Sequence, residues 1–230
     1  MGDRCRLTGL EKLTYMKKIL AVIVLLLGQV AMYAQDLNTP LFRGELAEKY
    51  TYRLTGCVYA YSDEFEMGDV VFNGKPYCGL MMNLNSHRGE LQVRVGESGE
   101  CVVLKQTLVG DFNIGDRKYT NLYGATSIKG LADGYYQVIH RGKDILLKKI
   151  YKSVSDKADF ITGEITKSFT TRYRYYLVKD GKVNTIKDGN SLVKFYKEYK
   201  AGIRQFIKEN RIPGGEEDFI LEGIMDLVSK

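Results

Sequence analysis

The chain has 230 residues, of which 44% are hydrophobic and 27% charged, which is ordinary for a globular protein with room for one domain or two small ones. Four cysteines in this length exclude a disulfide-rich mini-protein. The net charge of +6 is uneven, since residues 35–135 carry ten basic and thirteen acidic side chains and residues 136–230 carry nineteen and thirteen. The second half therefore favours an anionic partner.

The first predicted element is a cleaved secretory signal peptide over residues 1–34. Two lysines precede an apolar run over residues 19–34, as export machinery requires. These sixteen residues are fewer than the ~20 of a spanning helix, which disfavours the alternative of a retained membrane anchor. We expect Gln35 to begin the mature protein, with no transmembrane span after cleavage. Residues 1–15 fit no compact signal, and this predicts a misassigned start with translation from Met16.

Residues 35–190 are predicted to form a β-rich domain. In Glu90–Val95, apolar Leu91, Val93 and Val95 alternate with polar residues, as in a half-buried strand. Similar runs lie at Leu54–Tyr61, Val70–Phe72, Tyr77–Asn83, Cys101–Gln106, Tyr135–His140, Ile145–Tyr151, Arg172–Val178 and Val183–Lys187. Tight turns separate several of them at Asn73-Gly74, Ser98-Gly99, Arg141-Gly142 and Asp180-Gly181. The pattern predicts a mainly antiparallel sheet built from sequential hairpins.

Residues 191–230 are predicted to form a helical hairpin packed on this sheet. Apolar residues recur at three- and four-residue steps over Ser191–Asn210, and basic residues take the other side. Pro213-Gly214-Gly215 breaks the chain, and a second helix is predicted from Glu216 to Val228 with its acidic residues at the start. Together these elements predict an α+β fold.

The sequence contains few of the motifs that carry chemistry. His87 and His140 are its only histidines, and there is neither a nucleophile elbow nor a phosphate-binding loop. The mature chain keeps Cys57, Cys78 and Cys101, an odd number whose spacing selects no disulfide pair. There is no Cys/His cluster of zinc-site spacing. We expect no cofactor and no metal.

Short segments spread along the mature chain carry a resemblance to a known family. They are Gly68–Lys75, Leu84-Asn85, Glu90–Val93, Arg174–Leu177, Lys179-Asp180-Gly181 and Phe206–Asn210. This set resembles a family of uncharacterised exported β-rich proteins of Gram-negative bacteria with a C-terminal helical hairpin. The resemblance implies fold and export, and it brings no activity, cofactor or catalytic residue.

An acidic cluster is the first candidate site. It comprises Asp63, Glu64, Glu66 and Asp69. Carboxylates of this kind can hold calcium or divide acid and base roles on a glycan, although the spacing matches no known calcium loop. A charged turn between strands predicts the same residues.

An aromatic and cationic strand is the second candidate site. Alternation places Tyr173 and Tyr175 on one face and Arg172, Arg174 and Tyr176 on the other. Tyrosines with a polar tip suit the recognition of sugars or peptides. The alternative is that these rings are cross-strand packing residues.

The basic side of the first predicted helix is the third candidate site. It carries Lys194, Lys197, Lys200, Arg204 and Lys208. Such a face can rest on anionic lipid.

These patterns favour an exported, non-catalytic protein of the periplasm or cell surface with a binding or scaffolding role in the envelope. The expected partner is an envelope protein, a glycan or an anionic surface, and nucleic acid is a poor candidate outside the cytoplasm. Two alternatives stay open. One is a hydrolase of envelope polymers that uses a carboxylate pair, and the other is a peripheral membrane adaptor that uses the basic helix.

Overall fold

A largely antiparallel sheet of twelve strands dominates the computed structural model, which describes residues 44–95, 99–158, 161–210 and 217–229. The strands are β1 (Gly44–Leu46), β2 (Arg53–Thr55), β3 (Glu66–Phe72), β4 (Lys75–Asn85), β5 (Glu90–Val95), β6 (Glu100–Leu104), β7 (Val109–Ile114), β8 (Arg117–Leu122), β9 (Gly134–Arg141), β10 (Ile145–Ala158), β11 (Ile165–Lys179) and β12 (Lys182–Ile186). The predicted β-rich body is confirmed. The predicted leader, residues 1–34, lies outside the described residues.

Sequential hairpins build the sheet, as the turn motifs predict. The strand order is β1-β6-β5-β4-β3-β7-β8-β9-β10-β11-β12, so β3 to β6 and β7 to β12 are two uninterrupted meanders. Asn73 and Gly74 have φ angles of 51° and 75°, and Asp180 and Gly181 have 48° and 71°. Two consecutive left-handed residues are what a two-residue hairpin turn requires, and Asn, Asp and Gly tolerate them best.

The segment around β2 curls the sheet. β2 pairs in parallel with Thr166–Ser168 of β11, and residues 58–60 then pair with the end of β4, where the Ala60 amide donates to the Leu84 carbonyl at 2.8 Å. Five strands lie between β4 and β11 in the sheet. Three residues span at most ~11 Å, so the sheet must bend until β4 and β11 approach each other.

One row of residues crosses the bent sheet on a single face. Cross-strand pairs join its members in the order Val70, Phe112, Tyr119, Gln137, Lys148, Tyr175 and Ile186. All seven are buried. Burial of an amide and an ammonium in this row requires polar partners, which the C-terminal helices and Tyr61 supply.

In the described C-terminal part, three helices cover this face where β9 to β12 form it. They are α1 (Gly189–Leu192), α2 (Lys200–Asn210) and α3 (Glu217–Val228). Ile203 of α2 and Leu221 and Ile224 of α3 are fully buried in one core with Leu146 and Leu177 of the sheet. The predicted packing of terminal helices on the sheet is thus observed. No helix in the described part of the chain has the length and apolarity that a membrane crossing needs.

The prediction of one helix over residues 191–210 is wrong in its first half. α1 ends at Leu192, a 3-10 turn follows at Lys197–Tyr199, and α2 begins only at Lys200. Tyr196 leaves helical geometry, with φ −130° and ψ 62°, and its hydroxyl donates to the Asp144 carboxylate at 2.6 Å. Asp144 and Tyr196 are 52 residues apart in sequence, so no local sequence pattern predicts this contact. The predicted break at residues 213–215 lies outside the described residues.

Two strand predictions also need correction. The run Leu54–Tyr61 forms only the short β2 followed by irregular chain, because the extended conformation ends at Gly56, whose φ is 84°. Glycine is required at this position, since a Cβ there would lie 2.5 Å from the Phe169 carbonyl oxygen. Strands β7 and β8 were not among the predicted runs. Their signal is the alternation of buried Phe112 and Ile114 before the Gly115 turn.

Candidate functional site

A depression beside the C-terminal helices collects basic side chains. Its volume is about 500 Å³, and we call it the basic depression. It is lined by Asn190, Val193, Lys194, Lys197, Lys200 and Arg204. Four of the five basic residues predicted to form a helix face therefore share this depression. Lys208, the fifth, is exposed on α2 and is not part of its lining.

The broken helix positions these cations. Lys194 lies in the irregular stretch after α1, Lys197 opens the 3-10 turn, and Lys200 and Arg204 lie on α2. The Tyr196 side chain fixes the turn, because its hydroxyl bonds to Asp144 and it is itself buried. The basic depression is thus formed around one break in the helical chain that a buried hydrogen bond anchors.

Within the part of the chain that the structure describes, no carboxylate compensates the charge of the basic depression. Among the described residues, none of its four cations has a carboxylate oxygen within 4.0 Å. Lys194 instead lies 4.9 Å from the centre of the Phe195 ring. Neighbouring like charges destabilise each other, and a bound anion would relieve this repulsion. The arrangement is suited to binding an anionic group.

The acidic cluster is divided among separate partners. Glu66 pairs with Arg117, whereas the Asp69 carboxylate accepts from Asn113 and from the Gly79 amide. Asp63 and Glu64 are exposed. Within the described residues, no three His, Cys, Asp or Glu side chains are grouped to hold a metal ion.

The aromatic strand divides between two environments, as its alternation predicts. Tyr175 is buried under the helices and donates to Asp218 at 2.5 Å, while Tyr173 on the same face is 53% exposed. Arg174 lies on the other face, 5.6 Å from the Tyr151 ring. The structure therefore does not unite these residues into one surface, and Tyr175 is a packing residue.

A buried ion pair joins the sheet to α3, and sequence reasoning missed it. The Lys148 ammonium donates to Asp218 at 2.7 Å and to the Tyr61 hydroxyl at 3.1 Å. The centres of three tyrosine rings, Tyr61, Tyr173 and Tyr175, lie 5.1 to 5.9 Å from the ammonium. All of these contacts are intramolecular, so this cluster stabilises the packing of the helices.

A second polar cluster anchors the turn beside the basic depression. The Asp144 carboxylate accepts from Lys179 at 2.7 Å and from Tyr196 at 2.6 Å. Burial by itself would raise the pKa of Asp144, but these two hydrogen bonds outweigh it and hold the pKa below its ordinary value. Asp144 is therefore an ionised acceptor at neutral pH.

The three described cysteines are free thiols. Cys78 is exposed, and Cys57 and Cys101 are partly buried. Burial, together with a hydrogen bond to Asp63, raises the pKa of Cys57 to about 11. Its thiolate is scarce at neutral pH, which argues against a nucleophilic role.

Comparison with known proteins adds no relative, since no family model, no curated protein and no solved structure matches the chain.

Proposed function

We propose that the protein is an exported, non-catalytic binding component of the cell envelope that attaches to an anionic surface through the basic depression. The signal-peptide pattern of residues 1–34 supports export and a location in the periplasm or on the cell surface. The observation that carries the binding role is the set of four cations around one depression without a carboxylate partner in the described chain. Anionic lipid headgroups and phosphorylated glycans supply the matching charge.

The expected contribution of each cation follows from surface electrostatics. A Lys or Arg near an anionic membrane surface contributes about 1 kcal/mol. Loss of one such contact weakens binding about five-fold, and loss of two weakens it about thirty-fold. Because the cations are exposed, added salt screens them, and affinity should fall steeply between ~0.05 M and ~0.5 M NaCl.

The test uses the mature protein and vesicles of phosphatidylcholine with or without phosphatidylglycerol. We expect sedimentation with the anionic vesicles only, and release by salt. The double variant Lys197→Gln/Lys200→Gln should bind about thirty-fold more weakly. The matched control is Lys208→Gln, which removes an exposed lysine of α2 outside the basic depression and should change affinity by less than about two-fold.

Soluble inositol hexakisphosphate separates a discrete site from a diffuse charge effect. A compact polyanion that fills the basic depression should displace the vesicles from the unmodified protein. Salt-independent binding, or an equal loss in the Lys208→Gln control, would refute the proposal. Failure to bind either the vesicles or the soluble polyanion would refute it as well.

A further inference from the structure

A second depression, here called the strand groove, lies on the face of the sheet opposite the helices. Its volume is about 410 Å³, within the range of small-ligand sites. Strands β3, β7, β8 and β9 form it, together with the start of β4. Asp69, Asp111, Asn113 and Lys118 each flank a buried member of the cross-sheet row, so alternation turns their side chains to this opposite face.

One carboxylate of the strand groove is held in a fixed orientation. The Asp69 carboxylate accepts from the Asn113 side chain at 3.1 Å and from the Gly79 amide at 3.0 Å. The Asp69 amide in turn donates to Asn113 Oδ1 at 3.0 Å. These hydrogen bonds, with Asn113 the larger influence, lower the pKa of Asp69. A carboxylate has about four acceptor positions, so Asp69 keeps capacity for ligand hydroxyls.

The second carboxylate is oriented in the same way. Asp111 accepts from the Thr120 hydroxyl at 2.7 Å and from the Arg141 guanidinium at 3.1 Å. Lys118 adds another cation to the lining. Two acidic and two basic side chains therefore line the strand groove, and their formal charges cancel. A ligand with a large net charge gains little from such a site.

The remaining lining is apolar. Val71, Pro76 and Val138 belong to it. Val71 is 38% exposed although it is apolar. An open apolar patch beside oriented polar groups is the usual composition of a small-ligand site.

We propose that the strand groove binds a neutral saccharide. A sugar ring presents hydroxyls around its edge and C–H groups on its faces. Planar carboxylate and guanidinium groups can hold neighbouring hydroxyls in pairs, in the way that they hold other bidentate partners. The apolar patch of Val71, Pro76 and Val138 suits the C–H face. Charge balance separates this ligand from the anion of the basic depression, so the inference does not rest on the proposed function.

The test is saturation-transfer-difference NMR on the mature protein. The probes are methyl glycosides of glucose, galactose, mannose, rhamnose and N-acetylglucosamine, each at millimolar concentration. We expect transfer to the C–H protons of at least one glycoside. Amide shifts in a ¹⁵N correlation spectrum should then be confined to the neighbourhood of Gly79, Asn113 and Lys118.

Two substitutions locate the interaction. Asp69→Ala removes the oriented acceptor and should weaken binding about ten-fold, as loss of one hydrogen bond to a charged group does. Asp156→Ala is the matched control, because Asp156 is also an exposed strand carboxylate but pairs with Lys167 outside the strand groove. If Asp69→Ala does not fold, Val71→Gln alters the exposed floor instead and should weaken binding by a similar factor.

Three results would overturn the inference. They are no transfer to any of the glycosides, amide shifts confined to other parts of the protein, and equal losses in Asp69→Ala and Asp156→Ala. If the protein binds anionic vesicles but no saccharide, the inference about the strand groove fails and the proposed function does not. If it binds a saccharide but no vesicles, the proposed function fails and the inference about the strand groove does not.

Discussion

Removal of the Asp218 carboxylate tests how the terminal helices are held on the sheet. Asp218 and its partner Lys148 have side chains only 15% and 7% exposed, with 2.7 Å between oxygen and nitrogen. In Asp218→Ala the ammonium keeps one hydrogen-bond acceptor among the described residues, the Tyr61 hydroxyl, and the Tyr175 hydroxyl loses the acceptor that it has there. Breaking a buried ion pair on one side costs about 3 to 5 kcal/mol. We expect the free energy of unfolding to fall by that amount.

Urea unfolding followed by far-UV circular dichroism measures this loss. At a slope near 2 kcal/mol per molar urea, the midpoint should fall by about 2 M with the slope unchanged. The double variant Asp218→Ala/Lys148→Met also removes the unpaired buried ammonium, and it should recover a large part of the lost unfolding free energy. The control Glu222→Ala removes an exposed carboxylate of the same helix and should stay within about 0.5 kcal/mol of the unmodified protein.

Two results would refute this reasoning. A loss below about 1 kcal/mol in Asp218→Ala would mean that water solvates the ammonium in spite of its burial. A double variant no more stable than the single one would mean that the lost carboxylate stabilises α3 by itself, for example through the helix dipole.

Three further predictions concern pH, thiols and packing. The pKa of Asp144 is held below 3.8, so this carboxylate stabilises the fold above about pH 4, and the stability gap to Asp144→Asn should narrow as the pH falls below that value. At pH 8 iodoacetamide should label exposed Cys78 before Cys57, whose pKa is about 11; peptide mass spectrometry reads the order. Gly189→Ala should cost about 1 to 3 kcal/mol in urea unfolding, because its Cβ would lie 2.8 Å from Ile224 Cδ1.

Each of these three predictions has a control variant or a result that would contradict it. A stability gap for Asp144→Asn that stays constant down to pH 2 would contradict the depressed pKa. Equal labelling of the two thiols would place Cys57 in a more open environment than its burial indicates. Gly202→Ala is the matched packing control, since its Cβ would meet only Leu227 at 3.4 Å and alanine favours helix, so it should stabilise the protein by up to about 1 kcal/mol.

Local chemistry explains which parts of the fold were predictable. Asn73-Gly74 and Asp180-Gly181 predict hairpins because two consecutive residues with positive φ are needed there, and the structure has them. The second terminal helix follows from its acidic start and apolar spacing, and the structure has it over Glu217–Val228. In each case the determinants lie within a few residues of the element that they specify.

Long-range contacts explain the failures. Strand alternation predicts that Gln92 faces solvent, but the residue is buried. The Tyr59 hydroxyl, 33 residues away in sequence, donates a hydrogen bond to its side chain. The break at Tyr196 depends on Asp144, and the burial of Lys148 depends on Asp218, 70 residues later. Side chains that look like surface charges in a linear pattern become core groups only when the fold supplies their partners.

The break at Tyr196 also changes the kind of anion that the basic residues can recognise. On one straight helix, residues 194 to 208 would form a stripe roughly 21 Å long, which matches a flat membrane surface. In the structure four of these cations line a single depression and Lys208 is left outside it. A depression of this kind concentrates its potential on a compact group, such as a phosphorylated headgroup, rather than spreading it over a plane. Competition by a soluble polyanion therefore distinguishes the folded arrangement from the helix that the sequence pattern alone predicts.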